Sequence, residues 1–318
     1  MIDTFGRQIE YLRISLTDLC NLRCRYCMPE EGVDKKRHFD IITFEEACDI
    51  VRAGTNIGIN KVRLTGGEPL VRRGIVSLVE RLRDIGGIHD IAMTTNGVLL
   101  DEYAHKLAQA GLHRVNISLD TMKKDRYEHI TRGGDLGRVW QGITAAKNAG
   151  LHPIKINVVL VGGFNDDEIE EFVRWTYRDD IEVRFIELMP IGQCALDFSD
   201  EKSVPGDVVL ARVPELVPLD DPNEKVSVTY RLPGGKGKVG LINPMNHKFC
   251  DRCNRLRITA DAKIKPCLHS NQEIDIRQLR ADGMSYEQIL TAAANAKPKM
   301  HNLDAHEYTS RNMNKIGG

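Results

Sequence analysis

Cys20-Asn21-Leu22-Arg23-Cys24-Arg25-Tyr26-Cys27, a C-x3-C-x2-C run, comes just after the apolar stretch 11–16, with Thr17, Asp18 and Leu19 between. Thr65-Gly66-Gly67-Glu68-Pro69 directly follows a second one, 61–64. Two polar loops, each closing a strand-length apolar run, set the pattern for everything up to about residue 190. Further strand-length runs lie at 91–94, 114–119, 154–161 and 182–187, separated by amphipathic stretches at 44–56, 75–84, 102–110, 136–149 and 167–177. Thr43 with Glu46 reads as a capping box, and Gly111 and Gly150 as helix stops. Strands alternating with helices predict a parallel α/β sheet, open or curved into a partial barrel. The polar punctuation falls at strand C-terminal ends: the cysteine run, Gly66-Gly67, Thr94-Thr95-Asn96-Gly97, Ser118-Leu119-Asp120 and Met189-Pro190. That rim is where parallel α/β folds build their sites.

After Pro190 the rhythm breaks into a proline-rich region, 197–240, with strand-like runs near 208–213 and 226–230. Beyond it comes a second cysteine group, Cys250, Cys253 and Cys267, spaced C-x2-C-x13-C. Each group holds three cysteines, whereas a closed structural zinc site and an ordinary iron–sulfur carrier each use four ligands. Three thiolates on a four-iron cluster leave one iron open to another ligand. Spacing alone also suits a zinc site completed by His247 or His269. Cys48 and Cys194 have no partner cysteines nearby in sequence and read as ordinary.

The chain has 318 residues, 42% of them apolar, 28% charged, with a net charge of −1. Near-neutral charge argues against bulk attraction to nucleic acid or membrane. Uncharged runs are about half the ~20 residues a membrane-spanning helix needs, and no apolar leader follows Met1. These features predict a cytoplasmic protein, where eight cysteines favour metal ligation over disulfides. Arg255 and Arg257, two apart, would share one face of a strand, and arginine's fork suits phosphate oxygens. Arg252, lying between cluster ligands, should also sit near the site. An RNA-binding module using these arginines is a rival reading, opposed by the neutral charge and the lack of an aromatic stacking motif.

Cys20, Cys24, Cys27 and Gly66-Gly67-Glu68-Pro69 resemble the signature of the radical S-adenosylmethionine enzymes. The run Phe249-Cys250-Asp251-Arg252-Cys253-Asn254-Arg255-Leu256-Arg257-Ile258-Thr259-Ala260-Asp261, then Cys267-Leu268, resembles the molybdenum cofactor biosynthesis protein A family. So do Arg63-Leu64-Thr65-Gly66-Gly67-Glu68-Pro69-Leu70, Arg114-Val115-Asn116-Ile117-Ser118-Leu119-Asp120, Arg184-Phe185-Ile186-Glu187-Leu188-Met189-Pro190 and the final Gly317-Gly318. The resemblance implies an incomplete (βα)6 TIM-like barrel over 1–195 and a smaller C-terminal region, 196–318, carrying a second iron–sulfur cluster. It implies GTP 3′,8-cyclase activity in molybdopterin synthesis, with two [4Fe-4S] clusters and S-adenosylmethionine as cofactors.

Carried over residue by residue, it implies Cys20, Cys24, Cys27, Cys250, Cys253 and Cys267 as cluster ligands. Tyr26, Gly67, Glu68, Asn96, Ser118 and Met189 would contact S-adenosylmethionine. Arg13, Arg63, Thr94, Lys155, Arg255, Leu256 and Arg257 would bind GTP. Gly317 and Gly318 would enter the active site, bringing Arg311, Lys315 and the terminal carboxylate near the nucleotide. Implied partners are an electron donor such as flavodoxin or ferredoxin and the next enzyme, cyclic pyranopterin monophosphate synthase. The sequence is compatible with a homodimer. A nearer rival is a radical enzyme that modifies peptides through an auxiliary cluster.

Overall fold

Six short apolar runs become six parallel strands, each crossing over through helix to the next. The computed structural model describes residues 1–192, 195, 202–221, 224–303 and 308–317. The order is β1 (Tyr11–Ser15), α1 (Phe44–Asn56), β2 (Lys61–Thr65), α2 (Ile75–Arg83), β3 (Asp90–Thr95), α3 (Leu100–Ala110) and β4 (Arg114–Ser118). Then follow α4 (Lys124–Thr131), α5 (Leu136–Asn148), β5 (Ile154–Leu160), α6 (Ile169–Arg178) and β6 (Ile181–Glu187). The capping box at Thr43 and Glu46 is formed, and Gly111 caps α3 in the left-handed region that glycine tolerates. Alternate strand residues such as Leu12, Ile14, Val62, Leu64, Val115 and Ile117 are buried in the core. Their neighbours Arg13, Arg63, Asn116 and Asn157 line a cavity on the sheet's other face.

The C-terminal region supplies α7 (Asp207–Arg212), β7 (Val217–Leu219), β8 (Val228–Arg231), β9 (Lys238–Ile242), β10 (Arg255–Ile258), β11 (Lys263–Lys265) and β12 (Ile274–Asp275). Two helices, α8 (Ile276–Ala281) and α9 (Tyr286–Asn295), follow. All strands join one sheet in the order β12-β11-β10-β1-β2-β3-β4-β5-β6-β9-β8-β7. β10 pairs parallel to β1 and β9 parallel to β6, so this region covers both edges of the six-stranded sheet. Antiparallel hairpin strands then extend each side.

Two local expectations are corrected. The stretch near 208–213 is helix α7, not a strand: its turn starts where Pro205 O and Gly206 O accept from Val208 N and Val209 N, and tertiary packing beside α6 overrides the β preference of the paired valines. Helix α4 is absent from the expected helices because it is mostly polar, burying only Tyr127, Ile130 and Thr131. Cys48 is buried in α1, while Cys194 lies outside the described residues. Among the described residues no helix is long and apolar enough to cross a membrane.

Candidate active site

The first cysteine run is an irregular loop pinned from two sides. On one side Leu16 N donates to Thr65 O (2.9 Å), Gly67 N to Thr17 O (2.7 Å) and Glu68 N to Leu19 O (2.9 Å). A Cβ on Gly67 would stand 2.4 Å from Leu19 O and 2.7 Å from Asp18 O, so only glycine lets β2's end press on this loop. On the other side α4 holds it: Arg25 N donates to Ile130 O, Arg23 N to Thr131 O, and Arg132 Nη1 to Arg23 O. Cys27 N closes a turn on Cys24 O at 2.9 Å. The helix missing from the sequence reading is therefore part of what shapes the loop.

Burial pushes the Cys20 thiol up to about 11 and the Cys24 thiol well above its usual range, with Cys27, Asp120 and Cys20 adding to the effect at Cys24. The second triad is different. Cys250 sits on a single 3-10 turn, Cys250–Arg252, whose carbonyl at Cys250 accepts from Arg7 Nη1 at 2.9 Å. Burial would raise the Cys253 thiol, but Lys297 and Arg255 draw it down to about 7. Lys297 Nζ itself donates to Arg255 O (3.0 Å) and Pro266 O (2.9 Å), tying together the strands that flank the triad.

All six cysteines line one cavity of about 280 Å³. Its wall also includes Tyr26, Gly67, Asn96, Ser118 and Met189, five of the six residues expected at S-adenosylmethionine. Tyr26 donates to Asp120 Oδ2 at 2.5 Å, and burial pushes the Asp120 carboxyl up to about 6. Asn96 Nδ2 donates to Asn21 Oδ1 at 2.7 Å and lies 3.7 Å from Cys20 Sγ. Glu68, the sixth, is buried behind the wall. Its oxygens already accept from Leu70 N (3.0 Å), Thr95 Oγ1 (2.8 Å) and Asn96 N (2.7 Å), tying β2's end to β3's. Burial pushes its carboxyl up to about 7 despite those donors.

The residues expected at GTP divide into two sets. Arg13, Arg63, Thr94, Arg255 and Arg257 all line the cavity. Strand register places Arg13 opposite both Arg63 and Arg257, and Tyr11 opposite Arg255. Among the described residues none of these four arginines has a carboxylate within ion-pair distance, and the Nε atoms of Arg13, Arg63 and Arg255 are buried without a partner. Tyr11 completes the nest, with the Arg63 and Arg13 guanidinium carbons 5.3 and 5.9 Å from its ring centre. Burial alone would raise its phenol, yet Arg63, Arg13, Arg114 and Arg255 bring it down to about 8.

Lys155 and Leu256 fall outside this set. Lys155, buried on β5, pairs with Glu182 Oε2 and Glu224 Oε1, both at 2.8 Å. Glu224 also accepts from Arg184 Nη2 at 2.5 Å, and Arg184 Nε pairs with Glu182. Leu256 is fully buried in the hydrophobic core, on the opposite pleat from Arg255 and Arg257.

Other expectations resolve similarly. Arg252 is exposed. His247 is exposed and pairs with Asp207 at 3.3 Å, while His269 lines the cavity with its ring 4.8 Å from that of His301. Gly317 O accepts from Arg257 Nη1 at 2.6 Å, but Gly318 lies outside the described residues. Arg311 is bound to Asp261 and Glu273 and does not line the cavity. Sequence reading overlooked Tyr11, Asn157, Lys297 and Asn314. Tyr11 and Asn157 follow from the two-residue period of strands that carry Arg13 and Lys155, whereas Lys297 and Asn314 reach the site only through tertiary packing.

The donor sets fit soft iron. Each triad offers three thiols near enough to influence one another's ionisation, none in a disulfide, and all facing the shared cavity. Among the described residues no three His, Cys, Asp or Glu side chains are arranged around a single ion.

Comparison with known proteins points the same way. A family model described as Radical SAM superfamily matches residues 14–176, and one described as Molybdenum Cofactor Synthesis C matches 181–303. A GTP 3′,8-cyclase from Alkaliphilus oremlandii (strain OhILAs) is 51% identical over 321 residues, covering all of both chains. Another from Moorella thermoacetica (strain ATCC 39073 / JCM 9320) is 50% identical over 325 residues, again covering both completely. Among solved structures, Streptococcus suis SuiB bound to precursor peptide SuiA superposes with a TM-score of 0.62. At 15% identity, covering 96% of this chain and 76% of that one, it shows likeness of fold alone.

Proposed function

From the premise that this chain belongs to the GTP 3′,8-cyclase family of the radical S-adenosylmethionine superfamily, we infer how its residues share the work. The protein is a radical S-adenosylmethionine enzyme that converts GTP to (8S)-3′,8-cyclo-7,8-dihydroguanosine 5′-triphosphate in molybdopterin biosynthesis. It uses S-adenosylmethionine and iron–sulfur chemistry. Bound at the first triad, a cluster would supply the electron for reductive cleavage of S-adenosylmethionine; removal of the C3′ hydrogen of GTP and closure of the C3′–C8 bond then require one further electron and a proton to give the dihydro product.

Cys20, Cys24 and Cys27 hold one [4Fe-4S] cluster and Cys250, Cys253 and Cys267 a second. Tyr26, Gly67, Asn96, Ser118 and Met189 place S-adenosylmethionine beside the first, with Glu68 fixing the Asn96 backbone from behind. Arg13, Arg63, Arg255 and Arg257 take the triphosphate, and Thr94 offers its buried, unpartnered hydroxyl. Lys155 joins them when the triphosphate replaces the Glu224 carboxylate, and Leu256 contributes backbone and spacing. Gly317, whose carbonyl accepts from Arg257, and Gly318 after it serve the cyclisation step.

The six-stranded sheet over 1–195 curls into an incomplete (βα)6 barrel, and 196–318 forms the C-terminal region. Supporting the curl, side chains from all six strands line one cavity. Separate family models for the two parts support the division. The enzyme works in the cytoplasm, takes electrons from a flavodoxin or ferredoxin and passes product to cyclic pyranopterin monophosphate synthase, as a monomer or homodimer.

The observation that carries this reading is the single cavity shared by both triads and the four carboxylate-free arginines. Anaerobic turnover with GTP, S-adenosylmethionine and dithionite tests it. Cyclised nucleotide is expected with one 5′-deoxyadenosine per product; 5′-deoxyadenosine without nucleotide product would overturn it.

A further inference from the structure

The tail enters the site through one arginine held elsewhere. Arg311 Nη1 and Nη2 donate to the two oxygens of Asp261 at 2.9 and 3.0 Å, and Nη2 also reaches Glu273 Oε2 at 2.6 Å. Asp261 lies in the turn between β10, which carries Arg255 and Arg257, and β11; Glu273 directly precedes β12. The clasp therefore ties the tail to the hairpin that bears the arginine nest.

Downstream, Asn314 and Gly317 reach into the site. Asn314 is buried, lines the cavity and donates to Asp18 O at 3.1 Å, just ahead of Cys20. Ile316 is buried, and Gly317 O accepts from Arg257. Gly317 adopts a φ of +71°, and a Cβ there would stand 2.1 Å from Thr65 Oγ1. Such a close fit is sensitive to where the tail starts. A planar, two-pronged guanidinium fixes orientation as well as position, which a lysine ammonium cannot.

We propose that Arg311 is a positioning residue for the cyclisation: its fork on Asp261 and Glu273 sets the register in which Gly317 meets Arg257 and Thr65. This rests on the proposed role of the glycine tail. Removing the fork need not unfold the protein, because Asp261 keeps Lys36 at 3.7 Å, and Glu273 keeps Lys265 at 3.6 Å and Lys263 at 3.9 Å. The carboxylates stay compensated while the tail loses its anchor.

The test compares wild type with Arg311→Ala and Arg311→Lys in the reconstituted full-length enzyme. Amide hydrogen exchange over 312–317 should quicken by at least about tenfold in Arg311→Ala, tenfold being the scale of a single charge-assisted bond where three are lost. The ratio of 5′-deoxyadenosine to cyclised nucleotide should rise by a similar factor, while iron content and the rate of S-adenosylmethionine cleavage hold. Arg311→Lys, keeping charge without the fork, should fall between. Unchanged exchange, faster exchange with an unchanged ratio, or cleavage and cyclisation falling in parallel would each overturn the proposal. Should Arg311→Ala not fold, Glu273→Gln takes the charge from one of the three bonds and must show the same shifts in smaller measure. Failure of the wild type itself to cyclise GTP would strike the functional reading, and the exchange measurement would still decide the clasp.

Discussion

Substituting Gly67 by alanine should damage the first triad and spare the second. The new Cβ would lie 2.4 Å from Leu19 O and 2.7 Å from both Asp18 O and the Leu19 carbonyl carbon, all backbone atoms that cannot rotate away. Either β2's end or the cysteine loop must retreat, stretching the bonds Gly67 N–Thr17 O (2.7 Å) and Glu68 N–Leu19 O (2.9 Å). Overpacking of this kind costs about 1–3 kcal/mol, and weakening two backbone hydrogen bonds adds about 0.5–1.5 kcal/mol each. The expected destabilisation is about 2–6 kcal/mol by urea unfolding. Iron analysis should show the loss of one cluster's worth of metal, and S-adenosylmethionine cleavage should disappear. Gly86→Ala is the control, since a Cβ there meets nothing within 4 Å. A Gly67→Ala protein with wild-type stability and full iron would refute the claim that this glycine exists for the loop's close approach.

Four further outcomes follow from the site. The Tyr11 phenol, held near 8 by its arginines, should ionise as pH rises through 8 and place a negative charge in the nest; GTP affinity should then fall above pH 8 in wild type but not in Tyr11→Phe, as followed by equilibrium binding. Because this acid's pKa is depressed on folding, its contribution to stability is largest above pH 10 and is lost as pH falls through 8, which pH-dependent unfolding of the same pair checks. Arg255→Ala should weaken GTP binding about ten- to a hundredfold, for a loss of roughly 1.5–3 kcal/mol, and leave guanosine binding nearly unchanged; equal loss for both ligands would mean a structural role. Cys24→Ala should abolish 5′-deoxyadenosine formation while spectroscopy still shows a cluster at Cys250, Cys253 and Cys267.

The sequence by itself determined the parts of this protein that depend on neighbours along the chain. Strand runs alternate apolar and polar residues every second position, so Arg255 and Arg257 could be assigned to one face of their strand without a structure, whereas the pairing that sets Arg13 opposite Arg257 came from the fold. The cysteine spacings and the strand-end loops likewise are local, and all six thiols do meet in one cavity. Tertiary structure decided what depends on distant charge and shape. Lys155 and Arg13 read alike as strand cations, yet one is bound by Glu182 of the next strand and Glu224 of a loop far along the chain, and the other has no carboxylate partner among the described residues. Polar α4 has too weak a pattern to announce itself and owes its place to the cysteine loop it holds. Arg311 could not be assigned from sequence because its partners, Asp261 and Glu273, reach it only after the β10–β12 hairpins fold. Periodicity records which way a side chain faces; only folding brings it the opposite charge that decides whether it is free to bind.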